Sequence, residues 1–388
     1  MRSTRLGKIA AASAAVVLFA AGCGGGEEEP EAETTGDGAG GGAACDQAIA
    51  FFGALTGDAA NLGIAIRDGA KFAVDQYNAE AECPVELVEF DSQGNPDQAP
   101  ALAQEAINNE AIIGVVGPAF SGESEAANPL FDEAGLPIIT ASASDPGLAE
   151  AGLTIFHRMI ANDGVQGPAI ATYIGDIAQS QAVFVVDDQS AYGLGLADIV
   201  RDTLGDTVVG SDSIQVGQTD FSATVTAIRS SGADTVFFGG YYTEAGLLTA
   251  QIRDAGIDAV FVSGDGSKDP GFIEAAGAEA AEGAILTCAC FPPEKASGTF
   301  YTDFENEHGS PPGTYGAEAF DAANVFLQGI AEGNATREDM LAWVNGYDAQ
   351  GVTKDIKFTE NGEIEALSVW AYKVTDGELL GDQEIPVE

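Results

Sequence analysis

The stretch IIGVVGPAFSGESEAANPLFDEAGLPIITASAS, residues 112–144, decides the fold. It opens on an apolar run, IIGVVG (112–117), turns at Gly-Pro, continues as an amphipathic segment from Ser124 to Glu133, and returns to an apolar run, PIITA (137–141). A short apolar run bounded by turn formers reads as a buried strand, and the segment between carries helical periodicity. Strand, helix, strand is the crossover that joins parallel neighbours in one sheet, and its hand is right-handed.

The same rhythm extends in both directions. Upstream lie AIAFFGAL (48–55) and VELVEFD (85–91), with helical patterns at Gly69 to Asn78 and Gln98 to Asn108. After a pause at Ile160 to Pro168 it restarts with AVFVVD (182–187), TVVGSDSI (207–214), TVFFGG (235–240), AVFVSG (259–264) and GAILTC (283–288). Helical stretches from Leu194 to Leu204, Phe221 to Ser231 and Glu244 to Ala255 separate these strands. Two such sets predict an α/β protein of two similar doubly wound parallel-sheet lobes. Near the C-terminus come helices around Gly316 to Ala331 and Arg337 to Gly346. IKF and LSVWAYKV then flank the turn at Glu360-Asn361-Gly362, which reads as a hairpin added to one lobe.

The composition limits the partners. Of 388 residues, 61 are acidic and 15 basic, a net charge of -46, while 45% are hydrophobic, as in an ordinary globular protein. The few Lys and Arg are scattered singly, so nucleic acid and anionic membrane surfaces are excluded as partners. The two histidines, His157 and His308, have no acidic or cysteine company at ligand spacing, so no metal and no cofactor is expected.

Residues 1–22 carry Arg2, Arg5 and Lys8, then an apolar run from Ile9 to Ala21, too short to span a bilayer and read as an export signal. Phe-Ala-Ala-Gly-Cys at 19–23 is similar to a bacterial lipobox, with Ala20 where Leu is usual, which makes Cys23 the acylation site. The bland alternative is a secreted protein with a small-residue cleavage site and a stray thiol. Residues 23–45 are Gly-rich and acidic and read as a flexible tether. Since no later stretch approaches twenty apolar residues, a soluble body held at the outer face of the cytoplasmic membrane is expected. Export favours cysteine pairing. Cys45 and Cys83 precede the first two strands, and if those strands are parallel neighbours their starting ends adjoin and a bridge is feasible. Cys288 and Cys290 would close a very small ring, and two separate thiols are the alternative.

Open parallel sheets bind ligands beyond the carboxyl ends of their strands. The loop GPAFSGES (117–124) matches a phosphate-binding loop except that Glu123 stands at the lysine position, and a carboxylate there repels phosphate. Gly193-Leu194-Gly195 lacks the third glycine of a dinucleotide fingerprint and is explained by a helix-start turn. No nucleophile elbow and no nucleophile–base pair is visible, so enzyme chemistry is not expected. The strand ends instead carry Ser121, Ser142, Ser144, Tyr192, Tyr241 and Asp265. Each has a plain structural reading: serine as a helix cap, tyrosine as packing, Asp265 as a turn former. Together, hydroxyls and helix-start N–H groups suit a carboxylate and a buried acid suits an ammonium, which describes a zwitterion.

At these residues the chain resembles the leucine/isoleucine/valine-binding proteins, solute receptors of branched-chain amino-acid ABC transporters with the type I periplasmic binding fold. The likeness runs through FGALTG (52–57), DGAKFAVDQYN (68–78), VVGPAFSGESEAA (115–127), GLPIITASASDP (135–146), NDGVQGPA (162–169), DQSAYGLGLA (188–197) and FFGGYYTEAG (237–246). It implies that Ser121 binds the amino-acid carboxylate, that Ser144 adds a hydroxyl and that Ser142 offers its carbonyl to the ammonium. Asp265 would pair with that ammonium, and Tyr192 and Tyr241 would close over the ligand. Leu62, Ala119 and Phe120 line the side-chain pocket and depart from residues common in the family, which leaves side-chain selectivity open. The resemblance further implies a three-crossover hinge, with lobe one at 46–161 plus 289–350 and lobe two at 162–288 plus 351–388. A monomer that delivers a neutral, branched-chain amino acid to an ABC permease is expected. The alternative is a sensing module of the same fold for an amino acid, an amide or an aromatic acid.

Overall fold

The computed structural model describes residues 45–387. The export signal, the acylation site Cys23 and all of the tether but its last residue lie outside the described residues. The first sheet is built of β1 (Ala48–Gly53), β2 (Glu86–Asp91), β3 (Ile112–Val116), β4 (Ile138–Thr140) and β5 (Phe156–Arg158), in the order β2-β1-β3-β4-β5. All its pairings are parallel. β1 and β3 are buried along their whole length because helices cover both faces, which is why they read as unbroken apolar runs.

A second sheet begins with β6 (Val183–Asp187), β7 (Val208–Ser213), β8 (Thr235–Gly239), β9 (Val260–Ser263) and β10 (Ile285–Cys288), again parallel. β11 (Asp348–Gln350) and β12 (Asp355–Lys357) form a separate antiparallel ribbon. β13 (Val369–Thr375) and β14 (Glu378–Ile385) then join the second sheet antiparallel, giving the order β14-β13-β10-β9-β8-β6-β7. The chain passes between the sheets three times: after β5, after β10 and before β13. This is the type I periplasmic binding fold that the alternation of strands and helices predicts.

The C-terminal hairpin differs from its expected form. IKF does not pair with LSVWAYKV across Glu360-Asn361-Gly362; β12 pairs with β11, and β13 turns back at Asp376-Gly377 onto β14. The turn at 360–362 closes only a local loop, with a bridge between Phe358 and Ile364. The ribbon straddles the 350/351 boundary, and Asp321 anchors its loop through the backbone N–H groups of Val352 (2.7 Å) and Thr353 (2.9 Å). β5 carries a histidine and an arginine and has no apolar signal, and the pause at 160–168 is in fact the start of a helix, Asp163–Thr172.

The helix Ala60–Glu80 lies against the late helix Gly316–Ala331, which brings C-terminal sequence back to the first sheet. A Cβ on Gly69 would sit 2.0 Å from the carbonyl oxygen of Gly316, so only glycine permits this approach. Disulfides join Cys45 to Cys83, with Cα atoms 4.8 Å apart at the starts of adjacent strands, and Cys288 to Cys290 at 5.0 Å. Arg158, fully buried at the end of β5, holds the chain crossings together. Its Nε donates to Glu363 Oε2 (3.0 Å), its other nitrogens donate to the carbonyls of Ala143 and Asp145, and Asn162 donates to Glu363 Oε1.

Candidate functional site

The carboxyl ends of the two sheets face each other, and the loops there enclose a cavity of ≈ 280 Å³. Leu62, Ala119, Phe120, Ser121, Ser142, Tyr192 and Tyr241 all line it, joined by Ile66, Ala143 and Tyr315. Ser121 is the first residue of the helix Ser121–Glu133, so the free N–H groups of that helix start face the site. The preceding residue, Phe120, is extended, which turns the chain sharply from strand into helix.

Tyr192 sits in the first turn of the helix Ala191–Leu204, capped by Ser190, whose Oγ accepts from Gly193 N (2.9 Å). Gly193 is needed because its helix start abuts β8: a Cβ there would lie 2.6 Å from the Gly239 carbonyl oxygen. The Gly193-Leu194-Gly195 motif therefore serves packing. Tyr241 caps the helix Tyr242–Asp254, and its ring meets Tyr192 (5.4 Å, 40°) and Phe120 (5.4 Å, 78°). The three rings form an aromatic wall that spans both lobes.

Two of the expected residues do not line the cavity. Ser144 directs its hydroxyl to Asp163 Oδ2 (3.0 Å), so its expected hydroxyl contact to a ligand gives way to a supporting one. Asp265 lies behind the tyrosines and is fully buried. Its Oδ1 accepts from Tyr192 Oη (2.6 Å), Gln166 Nε2 (3.1 Å) and Gly266 N (3.1 Å), while Oδ2 has no partner. The Ser142 hydroxyl donates to the Ala119 carbonyl (2.6 Å), which fixes the loop that presents Ser121.

Sequence reasoning missed Asp163, Gln166 and Tyr315. Gln166 Nε2 bridges Asp163 Oδ1 (3.2 Å) and Asp265 Oδ1, so two buried carboxyls share one amide. Burial, and then the charge of Asp265, push the Asp163 carboxyl well above the ordinary carboxylate range, and burial raises Asp265 in turn. Burial and the charge of Asp265 also hold the Tyr192 and Tyr315 phenols protonated. An acid pair whose ionised form is disfavoured lowers its energy by meeting a cation, and an ammonium supplies one. The helix start at Ser121 offers the complementary N–H groups for a carboxylate. Tyr315 has the only positive φ among the cavity-lining residues, 66°, a conformation no periodicity reveals. The NDGVQGPA segment was the one signal that could have pointed to Asp163 and Gln166.

The lobes are held together by direct contacts. Asn61 Nδ2 donates to Asp269 Oδ1 (2.9 Å), Thr243 Oγ1 to the Asp58 carbonyl (3.3 Å), Lys268 Nζ to Thr314 Oγ1 (3.3 Å), and Thr314 Oγ1 to the Lys268 carbonyl (2.5 Å).

The periplasmic binding protein family matches residues 46–378. A Leu/Ile/Val-binding protein of Rhizobium johnstonii is 31% identical over 87% of this chain and 94% of its own length. A leucine-, isoleucine-, valine-, threonine- and alanine-binding protein of Pseudomonas aeruginosa is 29% identical over 85% and 90%. Among solved structures, a leucine-binding protein of Thermotoga maritima superposes with a TM-score of 0.82 at 26% identity, covering 87% of this chain and 98% of that one. A branched-chain amino-acid transporter substrate-binding protein of Streptococcus pneumoniae, in complex with isoleucine, gives 0.82 at 26% identity over 88% and 99%. The chain belongs to the periplasmic binding protein family, whose members are solute-binding proteins.

Proposed function

We propose that this protein captures a neutral, branched-chain amino acid between its two lobes outside the cytoplasm and delivers it to the permease of an ABC transporter. One observation carries the reading: the buried Asp163–Gln166–Asp265 group and the helix start at Ser121 border one cavity whose wall is Leu62, Ile66 and Phe120. Ser121 and the N–H groups beside it take the ligand carboxylate. Asp265, with Asp163 behind it, balances the ammonium, and Ser142 adds its carbonyl. The apolar wall takes an aliphatic side chain and offers it no charged partner. The names of the relatives support the same ligand class.

Closure follows from where the contacts originate. Ser121 and Leu62 belong to the first lobe; Tyr192, Tyr241 and Asp265 belong to the second. A ligand held by the first lobe gains the second set only when the hinge closes, so binding shifts the population toward the closed form, which docks on the permease. Anchoring through acylated Cys23 keeps the receptor beside that permease, and Cys23→Ser is expected to release it from membranes into the soluble fraction.

Calorimetry with leucine, isoleucine and valine tests the assignment. Asp265→Asn is expected to weaken binding by about 2–5 kcal/mol, because removing one side of a buried charge pair leaves the other uncompensated. Unchanged affinity would remove Asp265 from the site. Absence of a thermal shift with any of the twenty amino acids would refute the function.

A further inference from the structure

The interlobe cleft holds a second cavity, of ≈ 550 Å³, that shares Phe120 and Tyr241 with the amino-acid site. Four carboxylates line it: Asp58 and Glu123 from the first lobe, Asp188 and Glu244 from the second. No Lys, Arg or His accompanies them. The rest of the lining includes Ala59, Pro96, Ala191 and Val216, with the two aromatic rings.

Two of these acids stand out. Glu123 is fully buried and Asp188 is 1% exposed, yet Glu123 Oε2 and Asp188 Oδ2 have no hydrogen-bond partner in the protein. The other oxygen of each is held: the Ser92 hydroxyl donates to Glu123 Oε1, and Ser190 donates to Asp188 Oδ1 through its backbone N–H (2.9 Å) and its hydroxyl (2.5 Å). Each carboxylate is thus aimed by one oxygen and leaves the other to the cavity. A buried polar oxygen without a partner is costly, and two of them facing one cavity from opposite lobes repel each other as the cleft closes. Burial raises Glu123 to about 8 and Asp188 to about 6, so each holds a proton that a bound cation can replace.

The occupant follows from this chemistry. A metal ion does not fit, because no three ligating side chains come together at one point among the described residues. A protonated amine or guanidinium on a short apolar body does fit: the charge meets the free oxygens, the body meets the alanines, Pro96 and Val216, and the ring faces favour a cation. We propose that this cavity is an accessory site for such an organic cation, seated between Glu123 and Asp188 beside the amino-acid site and bridging the two lobes. The site depends on the lobe closure described above and is independent of the amino acid bound there.

The test uses the exported chain and two probes, agmatine and putrescine, at constant ionic strength in amine-free phosphate, with and without saturating leucine. Both probes are expected to raise the melting temperature in either condition. Asp188→Asn and Glu123→Gln are each expected to weaken probe binding at least about tenfold, with leucine affinity unchanged. Either variant suffices should the other not fold. A shift reproduced by sodium chloride, a shift that survives both substitutions, or probe binding abolished by leucine would overturn the proposal. Arginine separates the two sources of such a cation. If it competes with leucine in the wild type and not in Asp188→Asn, the carboxylates serve the side chain of a ligand in the main site, and the accessory site is refuted. Leucine failing to bind while agmatine still does would refute the proposed transport ligand alone.

Discussion

Replacing Glu123 by Gln should stabilise the protein, by an amount that grows with pH. The native carboxyl titrates at about 8 against an ordinary value of 4.5, with burial as the main cause and the charge of Asp91 adding to it. Between these values the native state keeps a proton that the unfolded chain has released, so the unfolded state binds fewer protons and stability falls as pH rises through the window. The difference of about 3.5 units, at about 1.4 kcal/mol each, sets a ceiling of roughly 5 kcal/mol, reached above pH 8, with roughly 3 kcal/mol at pH 7 and almost none below pH 4.5. Glutamine is neutral throughout and its amide oxygen can still accept from the Ser92 hydroxyl, so the variant avoids the penalty and keeps the hydrogen bond. Urea unfolding of both proteins at pH 4.5, 6, 7 and 8.5, at fixed ionic strength and without amine buffers, measures the difference. A gain that does not change with pH, or a variant less stable at pH 8.5, would refute the argument that burial without a partner raises this carboxyl.

Two further outcomes rest on other parts of the structure. Glu363→Ala strands the fully buried Arg158 guanidinium at the chain crossings and should cost about 3–5 kcal/mol in urea unfolding, whereas a loss below about 1 kcal/mol would mean that the carbonyls of Ala143 and Asp145 suffice. Replacing both Cys45 and Cys83 by Ala opens a loop with a sequence separation of 38 and should lower stability by about 2–4 kcal/mol, read from the same experiment; equal midpoints would show that the bridge does not constrain the unfolded chain.

Every expected strand from AIAFFGAL to GAILTC exists, within a few residues, because a parallel strand covered on both faces must be apolar throughout. The exceptions have local causes. β5 was hidden by His157 and Arg158, both buried and both satisfied by hydrogen bonds, so burial left no apolar trace. The C-terminal hairpin was misplaced because Asn361-Gly362 is a strong turn signal, and only the pairing partners of β12 and β13 distinguish a loop from a hairpin. At the site, seven of the nine expected ligand-binding residues line one cavity, since strand-to-helix loops are visible as breaks in the pattern.

By itself the sequence determined the class of the fold, the ends of the strands where a ligand binds, and the chemical types of residue gathered there. Those are consequences of periodicity and turn chemistry, which act over a few residues. Tertiary structure alone decided which charges meet. Gln166 and Asp265 are 99 positions apart and share a hydrogen bond, and Ser144 turns from the cavity to Asp163. Glu123, in the sequence only a carboxylate that spoils a phosphate loop, faces Asp188 from the opposite lobe across a shared cavity. Burial and long-range proximity set the energy of a charge, and neither exists until the two lobes are folded against each other.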